Sequence, residues 1–175
     1  LTDFGRIQKE NYYYVDKTMF IEKIEMQPSY LFLIRPDASG NINEVEESFR
    51  MHCCGKLSDF VYRYEHLLGK NIWKVLDEKT KEEPGAFLSA INTYATRKGD
   101  IKIYLLIDEY DNFTNTILST YGMDLYRKAM HGEGYIRRFF NVIKAATTGM
   151  GSAVNRLFIT GVSPVTMDDV TSGFN

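Results

Sequence analysis

Short apolar runs alternate along the chain with longer stretches in which apolar residues recur every three or four positions. Three runs predict β-strands, at residues 30–34, 101–107 and 157–160. Unbroken apolar runs of this length are typical of strands that are covered on both faces of a parallel sheet. Because these strands alternate with predicted helices, the pattern favours a three-layer α/β fold with a mostly parallel sheet.

The recurring apolar positions predict four helices. Their starts and ends are indicated by capping side chains, by a proline that fits a first helical turn, and by glycines that follow a last turn. The predicted helices are a short one capped by Asp16 or Thr18, and longer ones over about residues 43–69, 84–99 and 134–148.

Polar side chains stand where each predicted strand ends. Arg35 follows the first strand, Asp108 and Glu109 follow the second, and Thr160 ends the third. The residues after the acidic pair, 110–113, are predicted to form a polar, aromatic loop. In parallel sheets the carboxyl ends of the strands lie along one edge, where ligands bind. We therefore expect these polar side chains to share that edge.

The acidic pair after the second strand has the form of a Walker B element. Mg²⁺ takes oxygen ligands, so that Asp108 would hold the metal, and Glu109 would take a proton from the attacking water. The alternative is an acidic pair that merely ends a strand and caps the next helix. Thr160 is either a contact to a terminal phosphate or a satisfied polar strand end.

Composition limits the classes of protein that the chain can represent. A net charge of −2 gives no general reason to expect a nucleic-acid partner or an anionic membrane. The apolar runs of about five residues fall far short of the roughly 20 needed to cross a bilayer. The first residues show no signal peptide, so we expect a cytoplasmic protein, and the absent initiator Met suggests a start inside a longer chain.

The chain has two cysteines, which are adjacent. Cys53 and Cys54 fall within a helical pattern, where neighbouring cysteines cannot pair without a strained ring. We interpret them as reduced thiols. His52 lies next to them, but no second cluster of ligands completes a metal site.

Several segments together resemble the bacterial AAA-ATPase-like domain family. The resemblance runs from one end of the chain to the other and lies in Asp3–Phe4, Asn11–Thr18, Arg35–Pro36, Leu106–Phe113, Phe158–Val165 and Ser172–Asn175. It implies a P-loop NTPase core of the additional-strand type that binds ATP and Mg²⁺. In that family the domain usually precedes a C-terminal nuclease-like domain of the PD-(D/E)XK type, which would be the effector partner.

The resemblance also implies functions for individual residues. Asp108 and Glu109 match the metal and general-base positions of Walker B, and Thr160 falls at the sensor position. The segment around residues 14–18 resembles an entry motif near the nucleotide base. The implied cofactor-binding residues are Tyr14, Asp16, Lys17 and Arg35.

The chain departs from the family at the phosphate-binding loop. Family members continue after Arg-Pro with a basic pair and Phe-Gly-Lys-Ser, whereas here Pro36 is followed at once by Asp37. No Gly-Lys-Ser/Thr occurs anywhere in the chain. Three explanations are open: a mobile loop left unordered in a nucleotide-free crystal, a deliberate deletion, or a naturally degenerate relative. The first is favoured, because loss of the helix that follows the loop would expose core surface.

These observations lead to one main functional expectation. We expect residues 1–175 to form a single, incomplete AAA-ATPase-like domain, with a segment missing between residues 36 and 37 and the C-terminal domain absent. It would be an ATP-binding and ATP-hydrolysing regulatory domain, able to form a homo-oligomer. The alternative is an inactive NTPase-fold scaffold that acts through protein interaction. Direct binding of nucleic acid by this domain is not expected from a net-acidic chain.

Overall fold

The structure is a computed structural model of the 175-residue chain. It describes residues 45–161 and the backbone of residues 30–34. The predicted helix near Asp16 and Thr18 lies outside these residues.

Three parallel strands form the described sheet. They are β1 (Tyr30–Ile34), β2 (Ile103–Ile107) and β3 (Val154–Ile159), in the order β1-β2-β3. The last residues of the three strands, Ile34, Ile107 and Ile159, are in register. The prediction of an α/β fold with a parallel sheet is confirmed. β3 begins three residues before the predicted start at 157, and β2 begins two residues after the predicted start at 101.

Helices connect β1 to β2. The long one is α1 (Val45–Arg63), and α2 (Glu65–Leu68), α3 (Ile72–Val75), α4 (Glu78–Lys81) and α5 (Pro84–Lys98) follow it. The prediction of one helix over 43–69 is wrong in its last part, because the chain leaves helical geometry at Tyr64, with ψ of 15°. The prediction for α5 is confirmed: Pro84 lies in its first turn, and Gly99 ends it in the left-handed conformation.

The connection from β2 to β3 corrects one prediction. Residues 110–113, expected as a loop, begin the helix α6 (Tyr110–Thr116), which continues as a π-helix (Ile117–Tyr121). Tyr110, Phe113 and Ile117 are all buried, and their spacing of three and four residues is helical. Burial of this apolar stripe outweighs the low helix propensity of the Asp, Asn and Thr residues around it.

Two further helices complete the connection to β3. They are α7 (Met123–Met130) and α8 (Tyr135–Thr148), and the second confirms the helix predicted over 134–148. Gly134 stands at its N-cap. A Cβ atom at Gly134 would overlap the Ala129 carbonyl group, so glycine permits the close turn between α7 and α8.

The described residues form two layers. α1 packs on β1 and on α5, and α8 packs on α5 and on β3, so these helices share one layer. This follows from the order β1-β2-β3, because two right-handed crossovers in the same direction place their helices on the same face. On the other face Phe158 is 59% exposed. The third layer that the sequence predicts is therefore not found among residues 30–34 and 45–161.

β1 pairs directly with β2 along its whole length, from Tyr30 beside Ile103 to Ile34 beside Ile107. The additional-strand type of P-loop fold stays a prediction. Among the helices of residues 45–161, none combines the length and the apolar composition that a membrane span requires.

Candidate functional site

The turns that follow β2 and β3 are joined by backbone hydrogen bonds. Thr160 N donates to Ile107 O over 2.8 Å, and Tyr110 N donates to Thr160 O over 3.1 Å. These bonds continue the parallel pairing beyond the last strand residues. The structure thereby brings Asp108, Glu109 and Thr160 together at the carboxyl ends of the strands, and we call these three residues the carboxyl edge.

The Thr160 hydroxyl group lies between the two acidic residues. It donates to Asp108 Oδ1 over 2.5 Å and accepts from the backbone nitrogen of Glu109 over 3.1 Å. All three residues are half-buried. Thr160 therefore holds the Asp108 carboxylate and the Glu109 backbone, while all three residues remain partly exposed.

Glu109 has an unusual backbone conformation. Its φ of 51° and ψ of 44° are left-handed, and no other non-glycine residue in the described part of the chain has a positive φ. A left-handed conformation destabilises an L-residue by about 1–2 kcal/mol, and such strain is typical of functional sites. Glu109 occupies the N-cap position of α6, but its side chain makes no capping hydrogen bond. Helix capping by its carboxylate therefore does not account for this residue.

Two buried polar residues of α6 were not predicted as part of the site. Asp111 is 2% exposed and Thr114 is 1% exposed, and they are the buried polar residues found in the described core. Thr114 Oγ1 donates to Asp111 O over 3.0 Å. The helical spacing of Tyr110, Phe113 and Ile117 was the signal that could have placed both on the buried side of a helix.

Gly161 allows the end of β3 to approach α6. A Cβ atom at this position would overlap the Tyr110 ring and would lie 2.9 Å from Asp111 Oδ1. Real Cβ atoms do not come so close to other atoms, so a larger residue would push the two turns apart. Packing therefore requires glycine at this position. The close approach that glycine permits keeps Thr160 within hydrogen-bonding distance of the acidic pair.

The donor atoms at this edge fit a hard divalent cation. Two carboxylates and a hydroxyl supply oxygen ligands, which Mg²⁺ prefers. Within residues 45–161 there is no group of three or more His, Cys, Asp or Glu side chains that could hold a metal ion. Mg²⁺ commonly uses one or two carboxylates and completes its shell with water and substrate phosphates, so the pair is sufficient in number.

The other predicted site residues lie outside the described part of the chain; they are Tyr14, Asp16, Lys17 and Arg35.

The two cysteines lie in α1 as free thiols. Burial, together with the nearby Glu83 carboxylate, raises the pKa of Cys54 to about 11. Burial likewise raises the pKa of Cys53. Both are therefore protonated at neutral pH and are poor nucleophiles.

Comparison with known proteins identifies the family. The family described as "Predicted AAA-ATPase" matches residues 1–41 and 37–171. No curated protein and no solved structure matches the chain. Since the family match covers almost the whole chain and includes the carboxyl edge, the protein belongs to the AAA-ATPase-like family.

Proposed function

We propose that this protein is an ATP-binding regulatory domain in which the carboxyl edge holds Mg²⁺, and that this edge activates a water molecule for attack on ATP when the phosphate-binding loop is present. The observation that supports this proposal is the arrangement of Thr160 between Asp108 and Glu109 at the end of a parallel sheet. The family membership supports it independently.

The two carboxylates would have different functions. Asp108 would bind the metal through an oxygen that does not accept from Thr160, and Glu109 would take the proton of the attacking water. Bound Mg²⁺ would neutralise phosphate charge that develops in the transition state. The left-handed backbone of Glu109 turns its side chain away from the direction that a continued strand would give it.

The remaining elements of the proposal come from the family resemblance. Tyr14, Asp16 and Lys17 would lie near the nucleotide, with Arg35 at the start of the phosphate loop. A third layer would complete a P-loop fold. Hydrolysis would switch the conformation of the domain and control a C-terminal nuclease-like domain, within a protein that can form a homo-oligomer.

The missing phosphate loop limits what this chain can do. In P-loop enzymes a lysine and a glycine-rich backbone bind the phosphates, and this chain joins Pro36 directly to Asp37. The family match falls into two pieces that meet at residues 37–41, which supports an interruption of the family pattern at this point. We expect the chain of 175 residues to retain the metal-binding half of the site and to lack turnover.

The second candidate function is an inactive NTPase-fold scaffold that acts through protein interaction. The specific observation in its favour is the absence of any Gly-Lys-Ser/Thr from the chain. This candidate predicts that neither Mg²⁺ nor ATP binds at the carboxyl edge.

The test compares the chain with a form in which the phosphate loop of a family member, with its helix and strand, is inserted between Pro36 and Asp37. We expect ATP hydrolysis only in the form with the loop. In that form Glu109→Gln should abolish turnover and preserve ATP binding, while Asp108→Ala should weaken the dependence on Mg²⁺. Equal turnover by the Glu109→Gln variant would contradict the assignment of the base. A folded form with the loop that binds no nucleotide would favour the scaffold.

A further inference from the structure

Thr160 makes more bonds to the turn after β2 than strand pairing requires. Its backbone nitrogen donates to Ile107 O, and its backbone oxygen accepts from Tyr110 N. Its hydroxyl group adds one bond to Asp108 Oδ1 and one from the nitrogen of Glu109. The single residue that follows β3 therefore makes hydrogen bonds to each residue from Ile107 to Tyr110.

The hydrogen-bonding capacity of a hydroxyl group limits what Thr160 can also do. A hydroxyl has one proton and two lone pairs. The proton is donated to Asp108 over 2.5 Å, and one lone pair accepts from Glu109 over 3.1 Å. While these bonds exist, Thr160 has no proton left to donate to a phosphate oxygen.

The bond from Glu109 has a further consequence. Glu109 is held in the left-handed conformation, and a non-glycine residue persists there only where its surroundings fix it. Its backbone nitrogen donates to Thr160 Oγ1 over 3.1 Å. The Thr160 hydroxyl thus holds this amide in place.

We propose that Thr160 is a positioning residue for the acidic pair. Its hydroxyl orients the Asp108 carboxylate, leaves the second carboxylate oxygen to a metal ion, and fixes Glu109 in the left-handed turn. In this proposal Thr160 does not contact a phosphate. The positioning function therefore takes the place of the sensor function that the family resemblance implies. The inference rests on the proposed function only for the tasks of Asp108 and Glu109.

Amide hydrogen exchange, measured by NMR on the intact chain without nucleotide, tests this inference. In Thr160→Val, which keeps the shape and loses the hydroxyl, the Glu109 amide should exchange about fivefold faster or more. The Tyr110 amide is the internal control, because it donates to the backbone oxygen of Thr160 and should keep its wild-type rate. Thr160→Ser, which keeps the hydroxyl, should restore the slow exchange of Glu109.

Two outcomes would overturn the inference. One is equal exchange of Glu109 in the wild type and in Thr160→Val. The other is equal acceleration of the Glu109 and Tyr110 amides, which would mean general loosening rather than loss of one bond. If Thr160→Val does not fold, Asp108→Ala replaces it, with Asp108→Asn as the control that keeps an acceptor for the hydroxyl. Faster Glu109 exchange in Asp108→Ala alone supports the inference, and equal exchange in both overturns it.

The same variants separate this inference from the proposed function. Binding of Mn²⁺, as a probe for Mg²⁺, should weaken at least fivefold in Thr160→Val and recover in Thr160→Ser. If the exchange result holds and the wild type binds no Mn²⁺ at this edge, the positioning geometry stands and the proposed function fails. If Mn²⁺ binds equally well in Thr160→Val, the inference fails and the proposed function stands.

Discussion

The two ends of the described sheet both contain polar networks, and the networks differ in kind. At the start of β3, Asn92 Oδ1 accepts from Val154 N over 3.1 Å, and Thr96 Oγ1 accepts from Ala153 N over 2.9 Å. Ser152 Oγ lies 2.9 Å from Asn92 Oδ1. We call these residues the amino edge. These side chains are neutral, and those of Asn92 and Thr96 accept hydrogen bonds from backbone nitrogens at the start of β3.

The carboxyl edge is charged and strained. There the Thr160 hydroxyl donates to a carboxylate in addition to accepting from a backbone nitrogen, and Glu109 adopts a left-handed backbone. The amino edge satisfies backbone groups that would otherwise be buried without partners, which is a structural task. The comparison teaches that polarity alone does not mark a site. Charge, strain and accessible oxygen atoms together distinguish the candidate site at the carboxyl edge from the amino edge.

The largest expected effect comes from adding a side chain at Gly161, where the end of β3 lies close to α6. Gly161→Ala should lower the free energy of unfolding by about 3 kcal/mol, because the new Cβ would overlap the Tyr110 ring. Urea denaturation measures this change. Gly55→Ala is the matched control, since a Cβ there meets nothing within 4 Å and alanine should stabilise α1 by about 0.5–1 kcal/mol. Equal effects of the two substitutions would mean that the close approach at Gly161 is not present.

The next prediction concerns the amino edge, where a substitution should lower stability without changing metal binding at the carboxyl edge. Asn92→Ala should lower the free energy of unfolding by about 2 kcal/mol, because the Val154 amide loses its acceptor. Binding of Mn²⁺ at the carboxyl edge should not change. Thr93→Ala, on the same helix and exposed, is the control and should have little effect on either quantity. A loss of metal binding in Asn92→Ala would contradict the separation of the two edges.

A smaller effect tests the strain at the carboxyl edge. Glu109→Gly and Glu109→Ala both remove the carboxylate, but only glycine adopts the left-handed conformation without strain. We expect the glycine variant to be more stable than the alanine variant by about 1 kcal/mol in urea denaturation. Equal stability would show that the backbone of Glu109 is not strained.

Local signals explain which parts of the fold could be predicted from the sequence. The strands and α5 are marked by apolar runs, by Pro84 in a first turn and by Gly99 after a last one. α6 was missed because its Asp, Asn and Thr residues are typical of loops, and its helical conformation depends on burial of Phe113 and Ile117. The order of the strands was not predictable, since pairing between distant segments leaves no local pattern.

The location of three candidate residues at one edge of the sheet was predictable, and their detailed geometry was not. The position of Asp108 and Glu109 after one strand and of Thr160 after another was sufficient to expect them at one edge. The left-handed backbone of Glu109 and the hydrogen bonds of Thr160 depend on contacts between two distant turns. Thr160 is 51 residues from Glu109 and 52 residues from Asp108 in the sequence. No sequence pattern specifies such contacts. The functions of Tyr14, Asp16, Lys17 and Arg35 stay predictions.

The most direct test of metal binding at the carboxyl edge is NMR line broadening by substoichiometric Mn²⁺ in the presence of ATP. The two edges lie about 20 Å apart along a strand of six residues, so a paramagnetic ion at one end affects them differently. We predict selective broadening of the amide signals of Glu109, Tyr110 and Gly161, with those of Ala153 and Val154 unchanged, and loss of the effect in Asp108→Asn. Broadening that is uniform, or that persists in Asp108→Asn, would contradict the assignment of the metal site.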